Sequence, residues 1–284
     1  MESNGALCLP NFDHHKAAFT LDKVLGRGQF SIVHKAFDRV HERFVALKVV
    51  CLRSTQDAKT RADCIKEIQI LQNLRHPNII QLLTAYTGRH GQDLILVLEL
   101  ADQGDLTSVI AHFRSNGVLL NEALVLLYTG QILEAVEYVH GKRILHRDIK
   151  PSNIFIDSHN RIKLGDLGFS RLLSPRSTSA DSFLGTPYYM SPERLEELKY
   201  SFPSDIWSVG CVLYEMVALQ PPFFSKHISL NGLCKRIAVG LYPPLPSVDS
   251  YSSKTKEIIQ SCLIPNPDLR PTIAALIHLF NKNE

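Results

Sequence analysis

The sequence predicts an α+β fold in two lobes, a small strand-rich one followed by a larger helical one. Three observations predict it. Residues 19 to about 100 carry short β-branched and apolar runs separated by turn residues, with one helical stretch among them. Beyond Ala101 the apolar residues recur at helical spacing. The 284 residues are 45% hydrophobic, enough apolar surface to build a core in each part.

Met1 to Ala18 reads as a short N-terminal extension. It has no apolar centre and carries Asp13, His14, His15 and Lys16, so it is not a secretory leader. Glu2 stands where N-myristoylation needs glycine. Phe19 to Leu25 and Ile32 to Ala36 flank a glycine turn at Gly26 and Gly28, a hairpin signal. Phe44 to Cys51 is an apolar third strand. From Asp57 to Leu74 the pattern turns helical: Cys64, Ile68 and Leu71 recur at four and three, with Glu67 on the flank of that stripe. His76-Pro77-Asn78 stops that helix.

Leu94 to Leu100 is another strand, and Glu99 to Ala101 is expected to be the hinge into the helical part. There, Leu124, Leu127, Ile132, Ala135 and Val139 are expected to line one face of a long helix. Asp205 to Leu219 is apolar nearly all round, the mark of a helix buried inside a lobe. Pro221-Pro222 and Pro243 to Pro246 are loops. The expected boundaries are an extension over 1–18 and one domain over 19–280. Within that domain the small lobe covers about 19–100 and the large one about 101–280.

Composition narrows the function classes. The formal net charge is +3 with no block of like charge, which argues against a nucleic-acid groove or a polybasic membrane patch. The six cysteines form no CxxC pair, and no histidines stand at zinc-ligand spacing. Free thiols in a reducing compartment are the expectation. No apolar run approaches the roughly 20 residues that span a bilayer. The expected location is the cytoplasm or nucleus.

The chemistry is carried by four motifs. Gly26-Arg27-Gly28-Gln29-Phe30-Ser31-Ile32-Val33 follows Leu25 and joins two strands. Glycine there lets backbone approach phosphates without a Cβ in the way. A dinucleotide-binding turn would lead into a helix and carry a third glycine where Ser31 stands. In Val45-Ala46-Leu47-Lys48, the lysine ends an apolar strand, and Glu67 on the next helix could orient it toward phosphates.

His146-Arg147-Asp148-Ile149-Lys150-Pro151-Ser152-Asn153 is the decisive string. Asp148 can accept a proton from an attacking hydroxyl, Lys150 can neutralise a transferred phosphoryl group, and Asn153 offers a carbonyl oxygen to magnesium. Lys163-Leu164-Gly165-Asp166-Leu167-Gly168 adds Asp166, a hard oxygen ligand for the same metal, with Leu167 and Gly168 behind it.

Together these strings resemble the protein kinase family throughout. The resemblance implies the bilobal protein-kinase fold, ATP and Mg2+ as cofactors, and protein substrates. It implies catalytic roles for Asp148, Lys150 and Thr186 and metal binding by Asn153 and Asp166. Nucleotide binding is implied for Leu25 through Val33, Ala46, Lys48, Glu67, Glu99, Ala101 and Asp105. Ser191-Pro192-Glu193 matches the family's Ala-Pro-Glu, Asp205 its buried anchor of the catalytic loop, and Arg270 the partner of Glu193. Lys150 and Thr186, in Gly185-Thr186-Pro187, imply a serine/threonine enzyme, and Phe169 implies a preference for serine. A scaffold lacking turnover would have lost Lys48, Asp148 or Asp166, and all three are present.

The segment from Asp166 to Glu193 is expected to carry the switch. A phosphate there needs an arginine, and Arg147 is the expected receiver. Among Ser174, Ser177, Thr178, Ser179, Ser182 and Thr186, the expected phosphorylation site is Ser182. The strings around Arg61 to Ile68, Leu98 to Leu106, Gly185 to Arg194, Leu213 to Met216 and Tyr242 to Pro246 resemble the NIMA-related serine/threonine kinases, and the short six/seven branch among them. That resemblance implies roles in mitotic spindle and microtubule organisation. It also implies activation by another NIMA-related kinase or by a regulatory dimer, and substrates with an apolar residue three before the acceptor. Gln81 to Gln92 departs from those relatives.

Overall fold

The computed structural model describes residues 9–28, 31–51, 68–88, 93–167, 187–246 and 251–282. They fall into two compact units, one up to Ala101 and one from Asp102 onward.

The first unit is an antiparallel five-stranded sheet in the order β1-β2-β3-β5-β4. Its strands are β1 (Phe19–Arg27), β2 (Ser31–Asp38), β3 (Arg43–Cys51), β4 (Leu82–Gly88) and β5 (Asp93–Glu99). Side chains alternate faces along a strand, so register decides what each face carries. Ala36 pairs with Val45, Leu47 with Val97, and Val49 with Ile95. Ala36, Val45, Leu47, Ile95 and Val97 form one core cluster, with Phe19, Val49, Leu83 and Tyr86 packed on it. The same alternation sends Val33, Ala46, Lys48, Leu96 and Leu98 to the opposite face, where Lys48 pairs with both Val33 and Leu96. Residues 68–72 are helical, and Ile68 and Leu71 are buried, as the four-three spacing predicts; Leu74, also buried, lies just beyond the helix.

Residues 9–18, the described part of the expected extension, belong to this unit's packing. The Thr87 amide donates to the Pro10 carbonyl at 2.9 Å, and Asn11 bridges Thr87 in parallel, which adds backbone to β4 at the border of the sheet. Phe12 stacks on Phe19 at 5.8 Å and meets the Tyr86 ring edge-on at 5.6 Å, while His15 lies 4.9 Å from Tyr86. Residues 9–18 therefore form a strap across the face that holds the core cluster.

The second unit is mainly helical: α1 (Leu106–Ser115), α2 (Glu122–Gly141), α3 (Pro192–Leu195), α4 (Phe202–Ala218), α5 (Leu230–Val239), α6 (Ser253–Cys262) and α7 (Ile273–Asn281). A short hairpin, β6 (Ile154–Ile156) with β7 (Ile162–Leu164), stands among them. Asn121, Ser229, Ser252 and Thr272 cap α2, α5, α6 and α7 through side-chain oxygens, satisfying amides that helices leave open. Helix α4 is buried at every position from Ser204 to Val217, and its Trp207 stacks parallel on Phe223 at 5.5 Å.

One expectation is corrected. The buried face of α2 is Val125, Tyr128, Thr129, Ile132, Leu133, Ala135, Val136 and Val139, whereas Leu127 is 47% exposed and Leu124 is half-buried. Ile132, Ala135 and Val139 are buried as predicted, and only at the start of the helix do Val125 and Tyr128 take the inward positions expected of Leu124 and Leu127. The inward Tyr128 has its polar end satisfied there, its hydroxyl donating to Asn160 Oδ1 at 2.6 Å.

Candidate active site

In the first unit, β1 and β2 close through the Gly28 amide, which donates to the Ser31 carbonyl at 2.8 Å. A Cβ at Gly26 would meet no atom of the described residues within 4 Å, so among those residues the backbone there is open to close approach. Leu25, Gly26 and Arg27 end β1, and Ser31, Ile32 and Val33 begin β2, while Gln29 and Phe30 lie outside the described residues. Ala46 and Lys48 sit on the sheet face away from the core cluster, Ala46 opposite Leu98. Lys48 is buried, and Glu67, its expected partner, lies outside the described residues. Glu99 ends β5 with its amide on the Gln81 carbonyl at 2.9 Å, and its Oε2 accepts the Gln81 amide at 3.2 Å. Ala101 is half-buried at the end of this unit.

In the second unit, α2 anchors the hairpin whose two ends are flanked by Asn153 and Asp166. Gln131 Oε1 accepts the Ile162 amide at 2.8 Å, beside the Tyr128–Asn160 bond. Ile154 pairs with Leu164, so Asn153 and Gly165, one step beyond each, are neighbours, and the Gly165 amide donates to the Asn153 carbonyl at 2.8 Å. Register thus brings Asp166 beside Asn153. Asp166 has φ +56°, a left-handed conformation that aspartate tolerates better than most residues. Asp105 is the N-cap of α1, its Oδ1 accepting the Ser108 amide and hydroxyl at 2.8 Å each.

The geometry around Asp148 is specific. Asn153 Nδ2 donates to the Asp148 carbonyl and to Asp148 Oδ2, both at 2.8 Å. With both amide hydrogens spent there, the orientation of the Asn153 amide is fixed and its carbonyl oxygen is turned to other partners. Lys150 Nζ lies 2.9 Å from the same Asp148 Oδ2. Oδ1 of Asp148 is engaged by none of the described side chains, which leaves an acceptor for an incoming hydroxyl. The Asp148 amide donates to His146 Nδ1 at 3.3 Å. Burial pushes the His146 imidazole down, against the opposing pull of Asp205, Asp148 and Asp166, so the ring is neutral.

The loop carrying these groups hangs on Asp205, which is fully buried on α4. Its Oδ2 accepts the His146 amide and His140 Nε2, each at 2.9 Å. Its Oδ1 accepts the Arg147 amide at 3.0 Å and the Tyr200 hydroxyl at 2.5 Å. Burial raises the Asp205 carboxyl, and these hydrogen bonds more than offset it, holding the group below the usual carboxylate range. Glu193 on α3 meets Arg270 through two bonds of 2.8 Å.

The donor set suits magnesium. Among the described residues no three His, Cys, Asp or Glu side chains form a cluster able to hold a metal by themselves. Asp166 and the Asn153 carbonyl supply hard oxygens, and Mg2+ commonly takes one or two carboxylates and completes its shell with phosphate oxygens and water. Thr186, Ser182, the other candidate phosphorylation sites, Gly168 and Phe169 lie outside the described residues. Sequence reasoning missed His140, Tyr200 and the bond from Tyr189 to Glu215 Oε2, 2.6 Å long. His140 stands 65 residues from Asp205, and no spacing rule links them.

A loop carrying Asp148, Lys150 and Asn153 and held by a buried aspartate, next to a hairpin that Asp166 follows, together with a lysine-bearing β-sheet in the first unit, defines a class. The chain belongs to the protein kinase domain family, which matches residues 19–280. It is similar to the probable serine/threonine-protein kinase nek2 of Dictyostelium discoideum, 37% identical over 256 residues that cover 89% of this chain and 60% of that protein. It is 36% identical to the G2-specific protein kinase nimA of Emericella nidulans, over 96% of this chain and 42% of that one. The serine/threonine-protein kinase Nek2 of Homo sapiens is 34% identical over 89% of this chain and 57% of its own length. The chain thus spans at most about three fifths of these relatives. Among the described residues no helix is long and apolar enough to cross a membrane.

Proposed function

We propose that this chain is a serine/threonine protein kinase, transferring the γ-phosphate of ATP to protein hydroxyls, serine preferred. The observation that carries the reading is the division of labour on Asp148. One oxygen is held by Asn153 and Lys150, and the other is left to accept the substrate hydroxyl. In this reading Asp148 orients that hydroxyl and takes its proton, and Lys150 neutralises charge on the phosphoryl oxygens. Thr186 shapes the acceptor site, and Lys48 with Glu67 and the Leu25 to Val33 loop binds the phosphates. Asn153 and Asp166 would hold magnesium, which when bound screens the phosphate charge. Ala46, Glu99, Ala101 and Asp105 complete the nucleotide contacts.

The similarity to the NIMA-related kinases supports the wider reading. The name of the Emericella relative, a G2-specific kinase, favours a role in cell-cycle progression. The proposed setting is the mitotic spindle and microtubules, in the cytoplasm or nucleus. Ser182 is the proposed activating phosphosite, and another NIMA-related kinase or a second copy is the proposed activator.

Magnesium-dependent transfer of radiolabelled phosphate from ATP to casein tests the activity. Asp148→Asn and Asp166→Asn should each lower the rate by several orders of magnitude, since positioning and charge stabilisation supply most of the acceleration. Asparagine is the better replacement at Asp166 because it tolerates the left-handed backbone. Transfer by the wild type no faster than by these variants, with Ser182 phosphorylated, would refute the reading.

A further inference from the structure

We propose that the Tyr200 hydroxyl is a positioning group for phosphoryl transfer, acting through Asp205 on the backbone of the catalytic loop. The proposal rests on the kinase reading above.

A carboxylate rotates about its terminal torsion in a broad well, so an aspartate by itself does not fix where its oxygens point. On Asp205 each oxygen serves one loop amide and one side-chain donor: Oδ1 takes Arg147 N and Tyr200 OH, and Oδ2 takes His146 N and His140 Nε2. The two side-chain donors therefore set the carboxylate plane, and the plane sets the two amides. One of those amides belongs to Arg147, whose φ of +72° is a left-handed conformation that arginine adopts only under constraint. Relaxing that residue would rotate the peptide that leads into Asp148.

Tyr200 is itself tied to α3. The Arg194 guanidinium lies 5.4 Å from the centre of its ring, and Arg194 sits on α3, which the Glu193–Arg270 pair fixes in place. Just before α3, the Tyr189 carbonyl is held by Ser208 Oγ at 2.9 Å. Tyr200 thus joins residues 187–195 to the catalytic loop through Asp205. Burial and the Asp205 charge keep its hydroxyl protonated, so it serves as a donor.

Tyr200→Phe keeps the ring and removes only the oxygen. The expected result is a kcat lower by roughly tenfold, the scale of losing a hydrogen bond to a charged group, with the KM for ATP changed by less than about twofold. Hydrogen exchange at the His146 and Arg147 amides should quicken, while exchange in α7 is unchanged. Arg194→Met, which keeps the hydroxyl and loosens the ring, should shift both readouts the same way by less, and it carries the test if Y200F does not fold. Wild-type kcat and wild-type exchange at residues 146 and 147 would overturn the proposal. So would exchange that rises equally in α7, which would mark a general stability role. A wild-type protein that transfers no phosphate would sink the kinase reading, whereas the exchange data still decide whether Tyr200 holds the loop.

Discussion

Arg270 uses every donor a guanidinium has. Its Nε bonds the Ile264 carbonyl at 2.7 Å. One terminal nitrogen bonds Glu193 Oε1 and the Pro203 carbonyl, and the other bonds Glu193 Oε2 and the Pro265 carbonyl, at 2.8 to 2.9 Å. Its charge also lies 4.9 Å from the Trp207 ring centre. Arg270→Met keeps much of the volume and removes all five donors, leaving Glu193, only 5% exposed, without its counter-ion. Breaking a buried pair from one side costs about 3–5 kcal/mol. At roughly 2–4 °C per kcal/mol for a domain of this size, the melting temperature should fall by about 10 °C. Circular dichroism melts measure it.

The double variant Arg270→Met with Glu193→Met removes the orphaned charge and should recover a large part of the loss. The pH dependence gives a second reading. Burial raises the Glu193 carboxyl, but Arg270 and Ser204 outweigh it and hold it below its ordinary 4.5. In the wild type, that contribution is therefore present above pH 4.5 and is lost as pH falls through the lower folded value. Without Arg270, burial dominates and the sign reverses, so the gap between variant and wild type should narrow as pH falls from 7. An Arg270→Met protein that melts within 2 °C of wild type, or a gap that widens in acid, would refute the reasoning.

Other expectations follow from packing and capping. A Cβ at Gly210 would lie 2.5 Å from Cys262 Cβ and 3.0 Å from Leu263 Cδ2. Gly210→Ala should therefore cost about 1–3 kcal/mol in urea unfolding. Glu122 Oε1 accepts the Ser252 amide and hydroxyl and the Thr255 hydroxyl. Burial raises its carboxyl and those bonds more than compensate, so its contribution is present above pH 4.5 and lost below. Melting curves of wild type and Glu122→Gln should accordingly converge in acid. Ile132→Ala should cost about 2–5 kcal/mol while Leu127→Lys stays within about 0.5, which tests the phase of α2 by chemical denaturation.

Four of the five strands of the first unit were legible because β-branched and apolar runs and turn residues mark them one at a time, whereas β4 was not among the predicted runs. The convergence of Asp148, Lys150 and Asn153 was legible because the three lie within six consecutive residues. The first turns of α2 were not, since Leu127 and Val125 are equally apolar and the bond of an inward Tyr128 to Asn160 has no signature in the spacing. Nor could spacing reveal His140 and Tyr200, whose roles arise where three separated segments converge on one carboxylate. Residues 9–18 have no periodicity to read, and their place is set wholly by the sheet they lie on.

That strap has a practical consequence. The family match begins at Phe19, and a fragment cut there would look complete by homology. It would nonetheless leave Phe19 and Tyr86 wet and strip Pro10 and Asn11 from the β4 backbone. An uncovered apolar face next to a bare strand edge is a template for self-association. Where this polypeptide is trimmed should decide whether it self-associates, although every candidate site residue lies on the retained side of the cut.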